Sequence, residues 1–290
     1  MPPPELRSGS AASALQREQE LCATEAASAS ARARAEKWRV RLLQGALLSA
    51  FLIAWWLLSG TVIDRLFFSD PISVIRALFR IIVNGLLWWH LEQTLIEMTL
   101  GYVLGIGVGI AAGFVVSILP WGEPIARPLM LAAYATPKIA LAPLIIIWLG
   151  IGLPPKIFLA ASLVLFVVYF NTLSGIAAVS PGMLATARVM SASGIALFAK
   201  ITLPSAAPYI FVAARITLPA ALIGAIIGEF MSSNRGIGYL IAAASSRYDT
   251  AEVFAGIFSL LVFVLLLNGA LSMVERHALR WRPSTPAMVT

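Results

Sequence analysis

Cysteine, histidine and charged residues are scarce in this 290-residue chain. The one cysteine, Cys22, excludes a disulfide within the chain and leaves the redox compartment open. Only 12% of the residues are charged, whereas 59% are hydrophobic. Polar residues are too few to cover a water-soluble globule of this length, so the composition indicates a membrane protein.

Motifs of catalysis and nucleotide binding are also missing. The chain contains no G-x-x-x-x-G-K-[ST] phosphate loop, no G-x-G-x-x-G and no G-x-S-x-G nucleophile motif. His90 and His277 stand alone, without a second ligand at metal spacing. These absences argue against an enzyme, a cofactor and a metal site. The basic residues behind the formal charge of +7 flank apolar runs. This placement is typical of residues that orient a protein in a membrane, and it argues against nucleic-acid binding.

Six apolar runs are long enough to cross a bilayer as helices, which takes roughly 20 residues each. They are residues 41–60, 94–119, 128–150, 156–178, 206–230 and 252–274. The third run contains Pro137 and Pro143, which remove backbone donors, so we expect breaks at both places. The predicted fold class is therefore an all-α polytopic membrane bundle with about six transmembrane helices.

Domain boundaries and orientation follow from composition and charge. We expect a disordered cytoplasmic tail at residues 1–37, a membrane domain at residues 38–282 and a carboxyl-terminal tail at residues 283–290. Lys and Arg are commoner in the connections that face the cytoplasm if both termini lie inside. We therefore expect a multi-pass protein with both termini in the cytoplasm.

The segment 64–92 carries too many charges to span a membrane, yet its apolar residues recur at helical spacing. Asp70 and Pro71 suit the cap and first position of a helix. We expect an amphipathic helix along the outer interface, followed by Trp88 and Trp89 at headgroup depth before the second span.

The second span has a glycine at every fourth position, at Gly101, Gly105, Gly109 and Gly113. Such a strip lets another helix pack closely. An alternative is that Gly105 and Gly109 line a solute path.

Ionisable residues at membrane depth are costly and usually face protein or water. Lys138, next to Pro137 in the broken run, either attracts an anionic solute or is a structural cation bonded to loosened backbone carbonyls. Glu229 is a further candidate for the path, with packing as the alternative. Lys138, Pro137, Gly105, Gly109 and Glu229 make up the candidate translocation path.

The connection 179–205 begins at Ser180-Pro181 and ends near Leu203-Pro204, so we expect two proline-marked breaks that isolate a short helical hairpin. It carries the apolar residues Met190, Ile195, Leu197, Phe198 and Ile201 in a segment expected to meet water. Exposed apolar groups of this kind favour a protein partner.

Several stretches together resemble the permease subunits of ABC importers of the nitrate/sulfonate/taurine type, over residues 70–282. The hairpin resembles their EAA loop, with Ala185-Thr186-Ala187 followed by Ile201-Thr202-Leu203-Pro204. Further matching stretches are Thr94-Leu95, Gly101-Tyr102, the residues 137–144 and 147–150, Asn171-Thr172, Ala187-Arg188, Ala207-Pro208, Glu229 and the residues 236–241.

This resemblance implies a type I ABC-importer permease in the bacterial inner membrane. It implies a homodimer that works with two ATP-binding subunits and with a periplasmic or lipid-anchored substrate-binding protein. In such a complex the partner subunits bind ATP, and this chain needs no cofactor of its own. The implied solute is a small anion such as a sulfonate, nitrate or organic acid. The implied ATPase-coupling residues are Ala185, Ala187, Arg188, Met190, Ser191, Gly194, Leu197, Phe198, Ile201, Leu203 and Pro204.

Two positions depart from the family's loop. Ala185 stands where the family has glutamate, and Ser191 where it has glycine, with Gly194 as a candidate for the turn. The missing carboxylate removes a possible charged contact to the ATPase.

Three other functions remain open at this point: a secondary transporter driven by an ion gradient, a membrane-embedded enzyme, and a scaffold without transport. The halves of the chain lack the visible repeat that many secondary transporters have. The loop 231–250, with Asn234 and Arg235, is either a docking surface for the binding protein or a solvated loop.

Overall fold

The computed structural model describes residues 36, 38–61, 64, 66–190 and 194–278. Apart from residue 36, the predicted tails 1–37 and 283–290 lie outside the described residues, as does Ser191. The chain forms two compact units, with the boundary between residues 65 and 66.

The first unit contains helix α1, Trp38–Leu58, which is 21 residues long and apolar enough to cross a membrane. Most of its large apolar side chains are exposed, among them Leu43 and Leu47. This helix confirms the first predicted span.

The second unit is built from helices of very different lengths. They are α2 (Pro71–Val83), α3 (Leu86–Ile118), α4 (Gly122–Ala135), α5 (Lys138–Leu149), α6 (Leu153–Ala177), α7 (Pro181–Val189), α8 (Gly194–Leu197), a π-helical turn (Phe198–Thr202), α9 (Leu203–Ser232), α10 (Ile237–Ser246) and α11 (Thr250–Ala278). Helices α3, α6, α9 and α11 are each long and apolar enough to span a bilayer.

The third predicted span is a bent pair of helices, α4 and α5. Their axes differ by 92° across the break at Thr136 and Pro137. The predicted break at Pro137 is confirmed, but Pro143 lies inside α5 without ending it. Counted as one broken span, the pair brings the number of candidate spans among the described residues to six.

Helix α2 begins where the sequence predicts. The Asp70 carboxylate accepts a hydrogen bond from the Ser73 backbone N–H at 2.9 Å, and Pro71 takes the first helical position. Gly85, with φ of +73°, turns the chain directly into α3.

The predicted start of the second span at residue 94 is wrong, since α3 begins at Leu86. Trp88 and Trp89 therefore belong to its first turns and do not precede it. The helix extends to the amino-terminal side of the predicted run, where buried polar groups are hydrogen-bonded. The ring of the buried His90 accepts a hydrogen bond from the Gly236 N–H at 3.0 Å.

The centre of the second unit is α6, packed between α3 and α9. Along α3, Gly101 faces Ala160 and Gly113 faces Thr172, so α3 and α6 run parallel. On the other side, Gly224 of α9 faces Ala160 while Gly175 of α6 faces Ala206, so α9 runs antiparallel to both. The glycine strip therefore allows the close helix contact that its spacing predicts.

These directions define two ends of the second unit. The α10 end holds the beginnings of α3 and α6 and the end of α9. The hairpin end holds the ends of α3 and α6, together with α7 and α8.

Candidate functional site

The hairpin of residues 181–202 connects α6 to α9. Ser180 accepts a hydrogen bond from the Met183 N–H at its side-chain oxygen, 3.2 Å away, and Pro181 starts α7. The predicted second break, at Pro204, is wrong. Helical structure runs without interruption from Phe198 to Ser232, and directly before Pro204 it widens into a π turn in which the Leu203 N–H donates to the Phe198 carbonyl.

Among the described side chains of this hairpin, the most exposed apolar groups lie at the end of α7. Val189 is 86% exposed and Met190 is 78% exposed. Phe198 is less accessible because its ring meets the Phe114 ring of α3 edge-on, with centroids 4.7 Å apart. An apolar tip of two adjacent side chains, Val189 and Met190, is therefore the strongest docking feature of the hairpin.

The other predicted coupling residues occupy different environments. Ala185 and Gly194 are exposed, Ala187 is buried, and Leu197, Ile201 and Pro204 are half-buried. Leu203 is exposed at the start of α9, and Arg188 lies within α7. Their role in coupling stays a prediction.

The interpretation of Gly105 and Gly109 as path-lining residues conflicts with the structure. A Cβ atom added at either position would lie 2.7 Å from a backbone oxygen of α6, that of Ala161 or Leu165. This face of α3 is filled by a neighbouring helix, which leaves no room there for a solute. Gly105 and Gly109 are packing positions.

Lys138 matches the structural alternative better than the solute-binding one. Its Nζ donates to the backbone carbonyls of Ala133 and Tyr134, the latter at 2.7 Å, and lies 4.7 Å from the centre of the Phe166 ring. Those carbonyls stand at the end of α4, just before the break at Pro137, where helix partners are missing. Lys138 therefore stabilises the bend.

Glu229 is almost completely buried and holds the loop that precedes α10. Its carboxylate accepts hydrogen bonds from the Thr94 hydroxyl at 2.7 Å and from the Gly238 N–H at 2.6 Å. The Thr94 oxygen in turn accepts from the Ile237 N–H at 2.8 Å. In the described part of the chain Glu229 thus faces packed protein, and its assignment to the solute path is not supported.

Lys156 and Glu97 form a buried ion pair beside Glu229. The Lys156 Nζ lies 2.7 Å from the Glu97 carboxylate, and the two side chains are 4% and 0% exposed. Lys156 also donates to Ser233 at 2.8 Å, and Gln93 donates to Glu97 at 2.7 Å. We call Thr94, Glu97, Lys156, Glu229 and Ser233 the polar cluster; it ties α3, α6 and α9 together at the α10 end.

The sequence pattern singled out Glu229 and Thr94 but did not connect them with Glu97, Lys156 and Ser233. Lys156 is the first residue of the predicted run 156–178, and Glu97 lies inside the predicted run 94–119. Opposite charges at the matching ends of two predicted helices were the available signal.

Thr94→Val should destabilise the cluster and loosen the loop before α10. The substitution keeps the shape but leaves the Ile237 N–H and one Glu229 oxygen without their hydrogen bonds, at a cost of about 1–3 kcal/mol. Amide hydrogen exchange of residues 236–240 should become faster. Thr186→Val is the matched control, since that exposed hydroxyl bonds only the Gly182 carbonyl. Unchanged exchange in the Thr94 variant would contradict this role.

The described residues contain no group of three or more His, Cys, Asp or Glu side chains that could hold a metal ion. His90 is engaged with the loop before α10, and His277 is exposed near the end of α11.

Among the described residues, five apolar helices and one bent helix pair can cross a membrane, and an exposed hairpin joins two of the long helices, which is the architecture of a polytopic membrane protein. Residues 105–280 match the family described as the binding-protein-dependent transport system inner membrane component, and the chain belongs to that family.

Relatives and solved structures agree with this assignment. The chain is 32% identical over 244 residues to the aliphatic sulfonates transport permease protein SsuC of Bacillus subtilis, covering 83% of this chain and 88% of the relative. It is also 32% identical over 251 residues to SsuC of Escherichia coli, covering 86% and 95%. An inward-facing structure of the MetNI methionine ABC transporter shares the fold, with a TM-score of 0.57, 19% identity and coverage of 66% and 93%.

The chain is therefore the permease subunit of an ATP-driven importer, with the fold of a type I ABC-importer permease. Its family works with a separate ATP-binding subunit and a substrate-binding protein, so hydrolysis takes place outside this chain. The gradient-driven secondary transporter is not favoured.

Proposed function

We propose that the permease works as a homodimer that imports a small organic anion, with the hairpin end in the cytoplasm and the apolar tip, Val189 and Met190, docked on the ATP-binding subunit. The observation that carries this proposal is the exposure of these two adjacent side chains on a hairpin that joins two spanning helices. Helix-in-groove docking suits such a tip.

The distribution of basic residues supports this orientation. Eleven Lys and Arg residues flank the spans on the side of both termini, among them Arg127, Arg188, Lys200 and Arg276, against six on the other side. Positive charge near short connections is typical of the cytoplasmic side. With this orientation the carboxyl-terminal end of α11 is cytoplasmic and the α10 end faces outward.

The uninterrupted helix from Phe198 to Ser232 supports a route for coupling. Its 35 residues extend over roughly 52 Å at 1.5 Å per residue. One end adjoins the hairpin, and the other carries Glu229 and leads to Ser233 in the polar cluster. A displacement of the hairpin by the ATPase would therefore move the α10 end as well, shifting the population between inward-open and outward-open states.

The substrate class comes from the relatives. Two of them are named for aliphatic sulfonates, and both match the chain over more than four fifths of its length. An alkyl sulfonate or a similar small organic anion is the proposed solute, delivered by a substrate-binding protein at the α10 end.

Val189→Asp with Met190→Asp should abolish docking of the ATP-binding subunit. Two charges in the centre of an apolar contact should lower capture by more than about tenfold. The tagged permease would be co-expressed with a candidate ATP-binding subunit from the same genome, purified in detergent, and the co-purified ATPase quantified.

Val189→Leu with Met190→Leu is the matched control, because it keeps the tip apolar and should keep capture. Native mass spectrometry of the captured complex would count the permease copies. Equal capture by the native chain and the doubly charged variant would contradict docking through the apolar tip, and one permease copy per complex would contradict the homodimer.

A further inference from the structure

A cavity of about 490 Å³ lies at the α10 end, next to the polar cluster. It is formed by the beginning of α6, the end of α9, the loop that follows α9, and Gln93 of α3. This volume is in the range of small-molecule sites. The cavity lies within one subunit and is separate from the packed glycine strip.

Part of the cavity lining is polar. It contains Lys156, Arg235, Asn234 and Gln93, and among the described residues no carboxylate lines the cavity. Both cations are paired with an acid outside the lining, Lys156 with Glu97 and Arg235 with Glu92. Ammonium, guanidinium and amide groups are hydrogen-bond donors, so this part of the lining suits an anionic headgroup through hydrogen bonds and not through net positive charge.

The cationic groups are held in place before any ligand arrives. Lys156 is fixed by Glu97 and Ser233, as described above. Arg235 lies flat over the Trp89 ring, 3.6 Å from its centre, and its Nε donates to the Trp89 carbonyl at 2.9 Å. Donors already fixed in position lose little freedom when they bind an anion.

Another part of the lining is apolar. Leu153 of α6 and Phe230 and Met231 of α9 contribute to it. A ligand that contacts both parts needs an anionic head and a short apolar chain. Inorganic anions such as nitrate or sulfate would leave the apolar part without a contact.

We propose that this cavity is a binding site for a small alkyl anion, such as an alkyl sulfonate, which it holds after release from the binding protein. The proposal rests on the proposed function for the outward orientation of the α10 end and for the class of solute. Because α9 lines the cavity and continues to the hairpin, the shape of the site depends on the state of the ATPase.

The test is calorimetric titration of the intact permease–ATPase complex in lipid nanodiscs, without binding protein. The probes are 1-butanesulfonate, methanesulfonate and butylammonium, with protein-free nanodiscs as the blank. We expect saturable binding of butanesulfonate, about tenfold tighter than methanesulfonate because of the extra methylenes, and no saturable binding of butylammonium.

Asn234→Asp is the key variant, since it places a carboxylate in the lining at an exposed residue with almost no change of shape. It should weaken butanesulfonate binding by about tenfold through charge repulsion. Asn84→Asp is the matched control: the same change at an exposed residue of the α10 end, outside the cavity lining, should leave binding as it is.

Three results would overturn the proposal: no saturable butanesulfonate binding, equal binding of butylammonium, or the same effect of both Asp variants. ATPase capture and ATP hydrolysis by the same preparation report separately on the importer itself. A complex that assembles and hydrolyses ATP without binding butanesulfonate would refute the cavity site and leave the proposed coupling intact.

Discussion

Lys156→Met should destabilise the permease by about 3–5 kcal/mol, the usual cost of removing one partner from a buried ion pair. The substitution leaves the Glu97 carboxylate, which is completely buried, without its cation, and it removes one of the two donors to the Ser233 hydroxyl oxygen. Glu229 lies in the same cluster and adds a second buried carboxyl group. Thermal unfolding of the detergent-purified protein, followed by intrinsic fluorescence, would measure the loss.

Arg127→Met is the matched control for this prediction. It also removes a cation from an ion pair, but Arg127 and Glu123 are mostly exposed at neighbouring turns of one helix, and such pairs contribute less than about 1 kcal/mol. Lys156→Met combined with Glu97→Met should recover part of the stability, because the unpaired Glu97 carboxylate is then removed as well. Similar unfolding temperatures for the Lys156 and Arg127 variants would show that the buried pair is not a major stabilising contact.

The spans were predictable because a bilayer requires long apolar helices, and hydropathy detects them directly. The bend was predictable for a local reason as well, since Pro137 removes a donor and restricts the residue before it. Pro143 shows the limit of that reasoning. It lies in the second turn of α5, and the helix continues through it.

Contacts between distant parts of the chain were not predictable in the same way. The beginning of α3 depends on bonds from His90 and Thr94 to residues more than 140 positions away. Glu97 and Lys156 are 59 positions apart and meet only because α3 and α6 run parallel. Local propensity carries no information about such partners, so the sequence alone does not show which of these polar residues meet.

The hairpin illustrates the same limit in a functional element. Its position and apolar character were predictable from the run boundaries, but which apolar groups stay accessible was not. Phe198 is partly covered by Phe114, whereas Val189, which the sequence pattern did not single out, is the most exposed of the described apolar side chains of α7. Accessibility depends on tertiary packing, so the residues available for docking are identified only from the folded structure.

Gly109→Ala should destabilise the permease even though alanine is the better helix former. A Cβ at this position would lie 2.7 Å from the Leu165 carbonyl oxygen and 2.9 Å from the Val168 Cβ, so α3 and α6 must move apart. Overpacking of this kind costs about 1–3 kcal/mol. The loss should appear as a lower unfolding temperature of the purified protein and a lower yield of correctly folded protein.

Gly107→Ala, two residues earlier in the same helix, provides the matched control. Nothing lies within 4 Å of a Cβ at Gly107, so this variant should gain up to about 1 kcal/mol from helix propensity alone. Opposite signs at the two positions would establish that the glycine strip is a helix contact. If Gly109→Ala instead kept full stability and ATPase capture while solute uptake fell, Gly109 would have to face the solute path, and the packing of α3 on α6 would need revision.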